Sequence, residues 1–395
     1  MWSGPPPTGF QTIAPKPANH LDTAFGRFIS LALDSNGDPA TAFVYADPNG
    51  DGRYDDTQLM FVSWDRAANH WKEPVSVATM GNYDGRPPVP CVSLAHDPQT
   101  GAYGAVWVDP GNKIIHLALS RDDGATWTEK PALTDTRELG GPTLAFAGGK
   151  ANLAVWQVSK NIILYLTGAI DEEPGQWKST PAPMFPGNNA VARGSSLALD
   201  ESGAPALAYW QKANNSPQWT LAYWRPGQDA PLKVADTGAS TYPPDGVLLT
   251  FAGAQPRIVL DSRLDRAQIS SHYSVASSDG GATWTKPSPI PDDGNEHIAG
   301  FMSLAVARDG RALFAGDVIG GNTQGMKCSW PKISRSADFV SWTTCAPQNA
   351  QYPQIRTLYG SVIHAPSGVF YLVFQNGQKS PQQGLAAGII VWGGR

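Results

Sequence analysis

Short apolar runs recur along this chain, separated by turns rich in Gly, Pro, Asp and Asn. No stretch sustains an apolar period of 3.6 residues, so helices should be few and the runs read as strands. One run repeats seven times: Ser30-Leu-Ala-Leu33, Ser93-Leu-Ala-His96, Thr143-Leu-Ala-Phe146, Ser196-Leu-Ala-Leu199, Leu248-Leu-Thr-Phe251, Ser303-Leu-Ala-Val306 and Ser361-Val-Ile-His364. The copies stand roughly 50 to 63 residues apart, the range of repeats that stack or close into a ring. A turn follows each copy, then a second apolar strand at 40–45, 103–108, 151–158, 204–210, 257–260, 311–315 and 370–374. A third strand and a Trp-led fourth complete most units, with Trp71, Trp127, Trp177, Trp284 and Trp342 as the leads. The fourth unit lacks that Trp and its last strand is expected at 232–235.

Composition agrees with many short strands and tight turns: 41 Gly, 34 Pro and 14 Trp in 395 residues, with 16% charged. The net charge of -5 argues against a nucleic-acid partner. No apolar run is long enough to span a membrane. The opening residues Met1-Trp-Ser-Gly-Pro-Pro-Pro7 lack the basic start and apolar centre of a signal peptide. Cys328 and Cys345 either bridge neighbouring strands or stay as free thiols, and Cys91 reads as a buried thiol.

Two octapeptides stand out, Ser120-Arg-Asp122-Asp-Gly124-Ala-Thr126-Trp127 and Ser277-Ser-Asp279-Gly-Gly281-Ala-Thr283-Trp284. Both read S-x-D-x-G-x-T-W, a pattern in which Ser and Asp fix a tight turn and Gly supplies its positive φ. They resemble the Asp-box (BNR repeat) of the sialidase (neuraminidase) superfamily. That resemblance implies an all-β fold, a single β-propeller over residues 1–395. Counting units gives seven four-stranded blades; the sialidase catalytic domain implies six. The seventh unit stops after a third strand near 388–392, and an N-terminal strand at 10–13 would close the ring and remove an exposed edge.

In a propeller the repeated strand lines the axis, and the loops before it converge on one face. Those loops carry Arg27; Asp84 and Arg86; Arg137 and Glu138; Arg193; Tyr242 and Asp245; Glu296 and His297; Arg356 and Tyr359. Guanidinium groups in such a ring suit a carboxylate, which they bind bidentately. Arg27-Phe-Ile-Ser-Leu31 is similar to the F-R-I-P-x-L start of sialidases, without its Pro. Leu358-Tyr359-Gly-Ser361 with Tyr371-Leu-Val-Phe-Gln375 resembles the segment carrying the nucleophilic Tyr, with Gln375 in place of Glu. Val89-Pro-Cys-Val92 and Asp97-Pro-Gln-Thr-Gly101 resemble the second-blade segment, whose preceding loop would offer Asp84 as acid/base.

The resemblance implies a secreted or periplasmic enzyme that releases an acidic sugar with retention. Arg27, with Arg193, Arg356 and Arg137, would bind the substrate; Asp84 would protonate the leaving oxygen; Tyr359 would attack, with Glu138 or Glu296 as its base. A lyase acting on uronic acids stays open, with His297 or Tyr359 removing the C5 proton. So do a glycan-binding lectin and a protein scaffold, since fold alone decides none of them. Asp47, Asn49, Asp51 and Asp55 follow D-x-N-x-D-G-x-x-D and would wrap a structural Ca²⁺, although position twelve is Gln58. No phosphate loop and no transition-metal spacing of His is present.

Overall fold

The computed structural model describes residues 11–15, 25–46, 49, 56–81, 92–109, 111, 113–214, 216–237, 244, 246–262, 271–291, 297–319, 332–344, 357–376 and 384–390. Within them the chain is almost wholly strand, and the single helical element described is one 3-10 turn at Pro174–Gln176. Seven antiparallel sheets form in chain order. Their inner strands are Phe25–Leu33, Val92–His96, Leu139–Ala147, Asn188–Leu199, Val247–Ala252, His297–Val306 and Thr357–His364. Each repeated tetrapeptide lies on one of these strands. Each inner strand packs against the next, and the seventh packs against the first. The architecture is an all-β propeller.

The repeated Ser explains how neighbouring sheets stay in register. The Leu94 N–H donates to Ser30 Oγ at 2.9 Å, the Leu144 N–H to Ser93 Oγ at 3.0 Å, the Leu249 N–H to Ser196 Oγ at 2.9 Å, and the Val362 N–H to Ser303 Oγ at 2.9 Å. In every case a hydroxyl on one inner strand satisfies a backbone donor on the next. That donor cannot be paired within its own sheet, because the inner strand is an edge. Thr143 Oγ1 has no hydrogen-bond partner among the described residues, and Leu248 has no hydroxyl to offer.

The outer ends interlock through the octapeptide turns. Ser120 Oγ donates to Asp122 Oδ1 at 2.9 Å, and Asp122 also accepts the Thr126 N–H at 2.8 Å and the Thr126 hydroxyl at 2.6 Å. Asp279 repeats this with Ser277 and Thr283. These hydrogen bonds, those from Thr126 and Thr283 first, hold both carboxyls down at about 2. Gly124 has φ 85° and Gly281 has φ 104°. A Cβ on Gly124 would meet Phe61 of the first sheet at 2.0 Å, and one on Gly281 would meet Tyr223 of the fourth sheet at 2.4 Å. Trp127 lies edge-on to Phe61 at 5.1 Å and Trp284 edge-on to Tyr223 at 5.3 Å. The turn therefore seats its sheet on an aromatic ring of the sheet before it. The sixth sheet keeps the plan with fewer matching residues. There Ser336 donates to Asp338 at 3.0 Å, and Trp342 reaches back to Ser274 of the fifth sheet at 2.8 Å.

Some strands differ from expectation. Trp71 does not lead the outer strand of the first sheet; that strand is Val75–Gly81. His70–Trp71 instead folds back on Thr57–Asp65, where Trp64 and Trp71 pair across the hairpin at 5.7 Å and prolong it. The N-terminal strand is Gln11–Pro15, and it pairs with Gly384–Ile390 as the outermost strand of the seventh sheet. The outer strand of the fourth sheet is Leu232–Asp236. Cys91, Cys328 and Cys345 lie outside the described residues.

Replacing Ser196 by Ala strands the Leu249 N–H in a buried joint. The expected cost is about 1–3 kcal/mol, read from urea unfolding at constant m. A loss close to zero would mean that the staple adds nothing to the ring.

Candidate functional site

The start of the inner strands is irregular in a repeating way. In the first sheet Phe28 and Ile29 stand opposite Phe43 alone, between the pairs Arg27–Val44 and Ser30–Ala42. In the third, Gly141 and Pro142 oppose Val155. In the fourth, residues 192–194 oppose Trp210; in the sixth, residues 299–301 oppose Asp317; in the seventh, Tyr359 and Gly360 oppose Phe374. Five sheets thus carry a bulge just before the staple position. Bulges bend a strand and re-aim its side chains, and they gather next to active sites.

Three expected site residues fall on this feature. Arg27 flanks the first bulge, Arg193 lies inside the fourth-sheet bulge, and Tyr359 inside the seventh. His297 begins the sixth inner strand, paired with Ile319. Because the inner strands line one ring and run in the same sense, these backbones stand at the same end of the axis. Asp84, Glu296 and Arg356 lie outside the described residues, as do Arg86, Tyr242 and Asp245. Arg137 and Glu138 are exposed at the lead-in to the third sheet.

Backbone conformation marks the same place. Gly194 has φ 83° and Gly141 has φ 56°, and a Cβ on Gly141 would approach Gly194 Cα at 3.1 Å. In the first sheet the corresponding left-handed position is held by Phe28, at φ 52° and buried. A bulky residue there is a genuine outlier costing about 1–2 kcal/mol. Strain of this kind clusters at ligand sites, and here it adjoins Arg27.

Sequence reasoning missed how the lead-in loops are tied down. Sheets three and four share L-A-x-W-Q, ending at Gln157 and Gln211, and both Gln side chains are buried. Gln211 accepts the Phe185 N–H at 2.7 Å and donates to the Pro183 carbonyl at 3.2 Å, fixing the loop before the fourth inner strand. Gln157 donates to Asp135 in the loop before the third, and Ser159 Oγ donates to the same carboxylate oxygen. The other oxygen of Asp135 accepts the N–H groups of Thr136 at 2.6 Å and Arg137 at 3.2 Å. Burial pushes this carboxyl up, but the Ser159, Gln157 and backbone donors outweigh it and hold it at about 2. The repeated Trp-Gln pair was the available signal.

Asn49 is the one expected Ca²⁺ ligand within the described residues, and it is exposed. Asp47, Asp51 and Asp55 lie outside them. Among the described residues no group of three or more His, Cys, Asp or Glu is arranged to hold a metal. No helix there is long and apolar enough to cross a membrane.

No family model and no curated protein matches the chain. Solved structures do. An α-L-arabinanase of Penicillium chrysogenum complexed with arabinobiose is similar over 98% of this chain and 99% of its own, at 11% identity and TM-score 0.53. A Hadza microbial sialidase is similar over 94% of this chain, at 10% identity and TM-score 0.49. The match spans 66% of that sialidase's chain, so about a third of it has no counterpart here. The lectin of Aleuria aurantia, in complex with α-methyl-L-fucoside, covers 82% and 95% of the two chains at 12% identity and TM-score 0.46. What the arabinanase shares with this chain is the fold.

Gln157→Ala removes one of the donors that hold Asp135 ionised. The carboxyl's folded-state value should rise from about 2 towards the ordinary carboxylate range. A depressed folded value gives stability that is present above about pH 4 and lost as pH falls through about 2. The variant should therefore lose less stability than the wild type on going from pH 5 to pH 2. NMR titration of the Asp135 carboxyl checks this directly, and an unmoved midpoint would count against it.

Proposed function

We propose that the protein is a secreted or periplasmic carbohydrate-active enzyme that cleaves an acidic sugar from a glycan or polysaccharide at the bulged end of the ring. The observation that supports this reading is the shared bulge, which sets Arg27, Arg193 and Tyr359 at the same end of inner strands around one axis. Arg27 with Arg193, Arg356 and Arg137 holds the sugar carboxylate by paired N–H donors. Asp84 protonates the leaving oxygen. The Tyr359 hydroxyl, deprotonated by Glu296 or Glu138, attacks the anomeric carbon, and water then releases the sugar with retention. Asp47, Asn49, Asp51 and Asp55 offer hard oxygen donors to a Ca²⁺ that would brace the loop between the second and third strands of the first sheet.

The test is turnover of an aryl sialoside and of uronic-acid polysaccharides. Arg27→Ala and Tyr359→Phe should each reduce kcat/KM by about 10²–10³-fold while leaving the thermal unfolding transition in place. An unsaturated product would identify a lyase, with His297 or Tyr359 as base. Saturable binding at several equivalent sites without turnover would identify a lectin. Cleavage of neutral glycans only would remove the acidic sugar. If EDTA leaves Tm unchanged and Ca²⁺ does not raise it, the metal is removed from the account.

A further inference from the structure

The end of the ring opposite the bulges carries a guanidinium, Arg257, whose surroundings differ from those of a second stacked arginine, Arg225. Arg257 lies near the start of the second strand of the fifth sheet, Gln255–Ser262, facing the sixth. Its Nη1 donates to the Pro256 carbonyl at 3.0 Å and to the Ser277 carbonyl at 2.5 Å. Its Cζ stands 5.9 Å from the Phe339 ring centre. Its Nε is buried and has no hydrogen-bond partner among the described residues. Burial lowers its proton affinity, and no carboxylate among the described residues raises it. The turn carboxylates on either side are already engaged: Asp279 takes Ser277 and Thr283, and Asp338 takes Ser336, Val340 and Ser341.

Arg225, one joint earlier in the ring, is the internal comparison. It stacks on Phe251 at 5.3 Å and on Tyr223 at 5.9 Å, much as Arg257 stacks on Phe339. But Arg225 Nη1 also pairs with Asp200 at 2.7 Å. Asp200 directly follows the repeated tetrapeptide of the fourth sheet, where Asp34 and Asp97 stand in the first and second. In the fifth sheet that position is Ala252. Two joints thus each hold an aromatic-stacked arginine, Arg225 just after a third strand and Arg257 on a second strand, and among the described residues only Arg225 has a counter-charge. A half-buried cation with no counter-charge among the described residues gains from an incoming anion, and the guanidinium fork matches planar or tetrahedral oxyanions.

We infer that Arg257 is the core of an oxyanion site in the joint between the fifth and sixth sheets, taking a carboxylate or a sulfate. The site lies at the turn end of the ring and is independent of the sugar-cleaving reading. Sulfate ester groups of a polysaccharide, uronate carboxylates and free inorganic anions share the required chemistry.

The experiment titrates the full chain with sodium sulfate, sodium glucuronate and sodium chloride at matched ionic strength, following Tm and isothermal calorimetry. Sulfate or glucuronate should raise Tm saturably with one site per chain, and chloride should not. Arg257→Gln should weaken binding by about tenfold or more, with Arg257→Lys recovering part of it, because Lys keeps the charge and loses the fork. Preference for sulfate points to sulfated glycans or free sulfate, and preference for glucuronate to uronates. Equal binding by wild type and Arg257→Gln overturns the inference, as does a wild type that responds to sulfate and glucuronate no more than to chloride. Loss of turnover in Arg27→Ala bears only on the axial end and leaves this result standing.

Discussion

A side-chain hydroxyl that accepts a backbone N–H across a gap between sheets is the contact on which this ring depends. An inner strand has a partner on one side only, so its other edge would expose backbone donors to a dry joint. Ser30, Ser93, Ser196 and Ser303 each answer one such donor on the following sheet. The bond fixes the height of one sheet against the next. Every loop carried by those strands inherits that height. Without a common height, bulges at equivalent positions would not stand at one level around the axis.

The octapeptide turns act at the other radius of the wheel. Each is closed by its own hydrogen bonds before it touches anything else, so it is a rigid piece set against a neighbour. The neighbour is an aromatic ring, Phe61 or Tyr223, and only glycine lets the turn come that close. Phe339 shows the alternative in the sixth sheet. It occupies the left-handed position one residue earlier in the turn, where Asp123 and Gly280 stand, at φ 63°, and packs edge-on to Trp342 at 5.4 Å. Inner staple and outer seat together hold the second sheet to the first, and the fifth to the fourth, at two points.

Much of the fold was legible in the sequence because it is written many times. The repeated tetrapeptides located every inner strand, and S-x-D-x-G-x-T-W located two of the hairpins. What the Ser was for could not be read, because its partner lies 51 to 64 residues away on another sheet. Trp71 was misplaced for a related reason: a fourth-strand Trp and a hairpin Trp look alike until Trp64 is seen opposite. For the site, spacing picked out Arg27, Arg193 and Tyr359 by their offset from the repeat, and all three adjoin or occupy bulges. Asp135 and Gln157 were passed over because their importance lies in a bond between two loops, which no local pattern records. Phe28 gave no sequence signal, since its left-handed backbone is visible only in three dimensions.

The pairing of Gln11–Pro15 with Gly384–Ile390 brings the two ends of the chain into one sheet. The seventh sheet therefore forms only when strands made far apart in the sequence meet, and the wheel stays open until Gly384–Ile390 has been made. The same adjacency makes the order of sheets formally arbitrary. A short linker between these two strands and a new cut in an exposed turn such as 227–230 would leave every sheet and staple available to a circularly permuted chain.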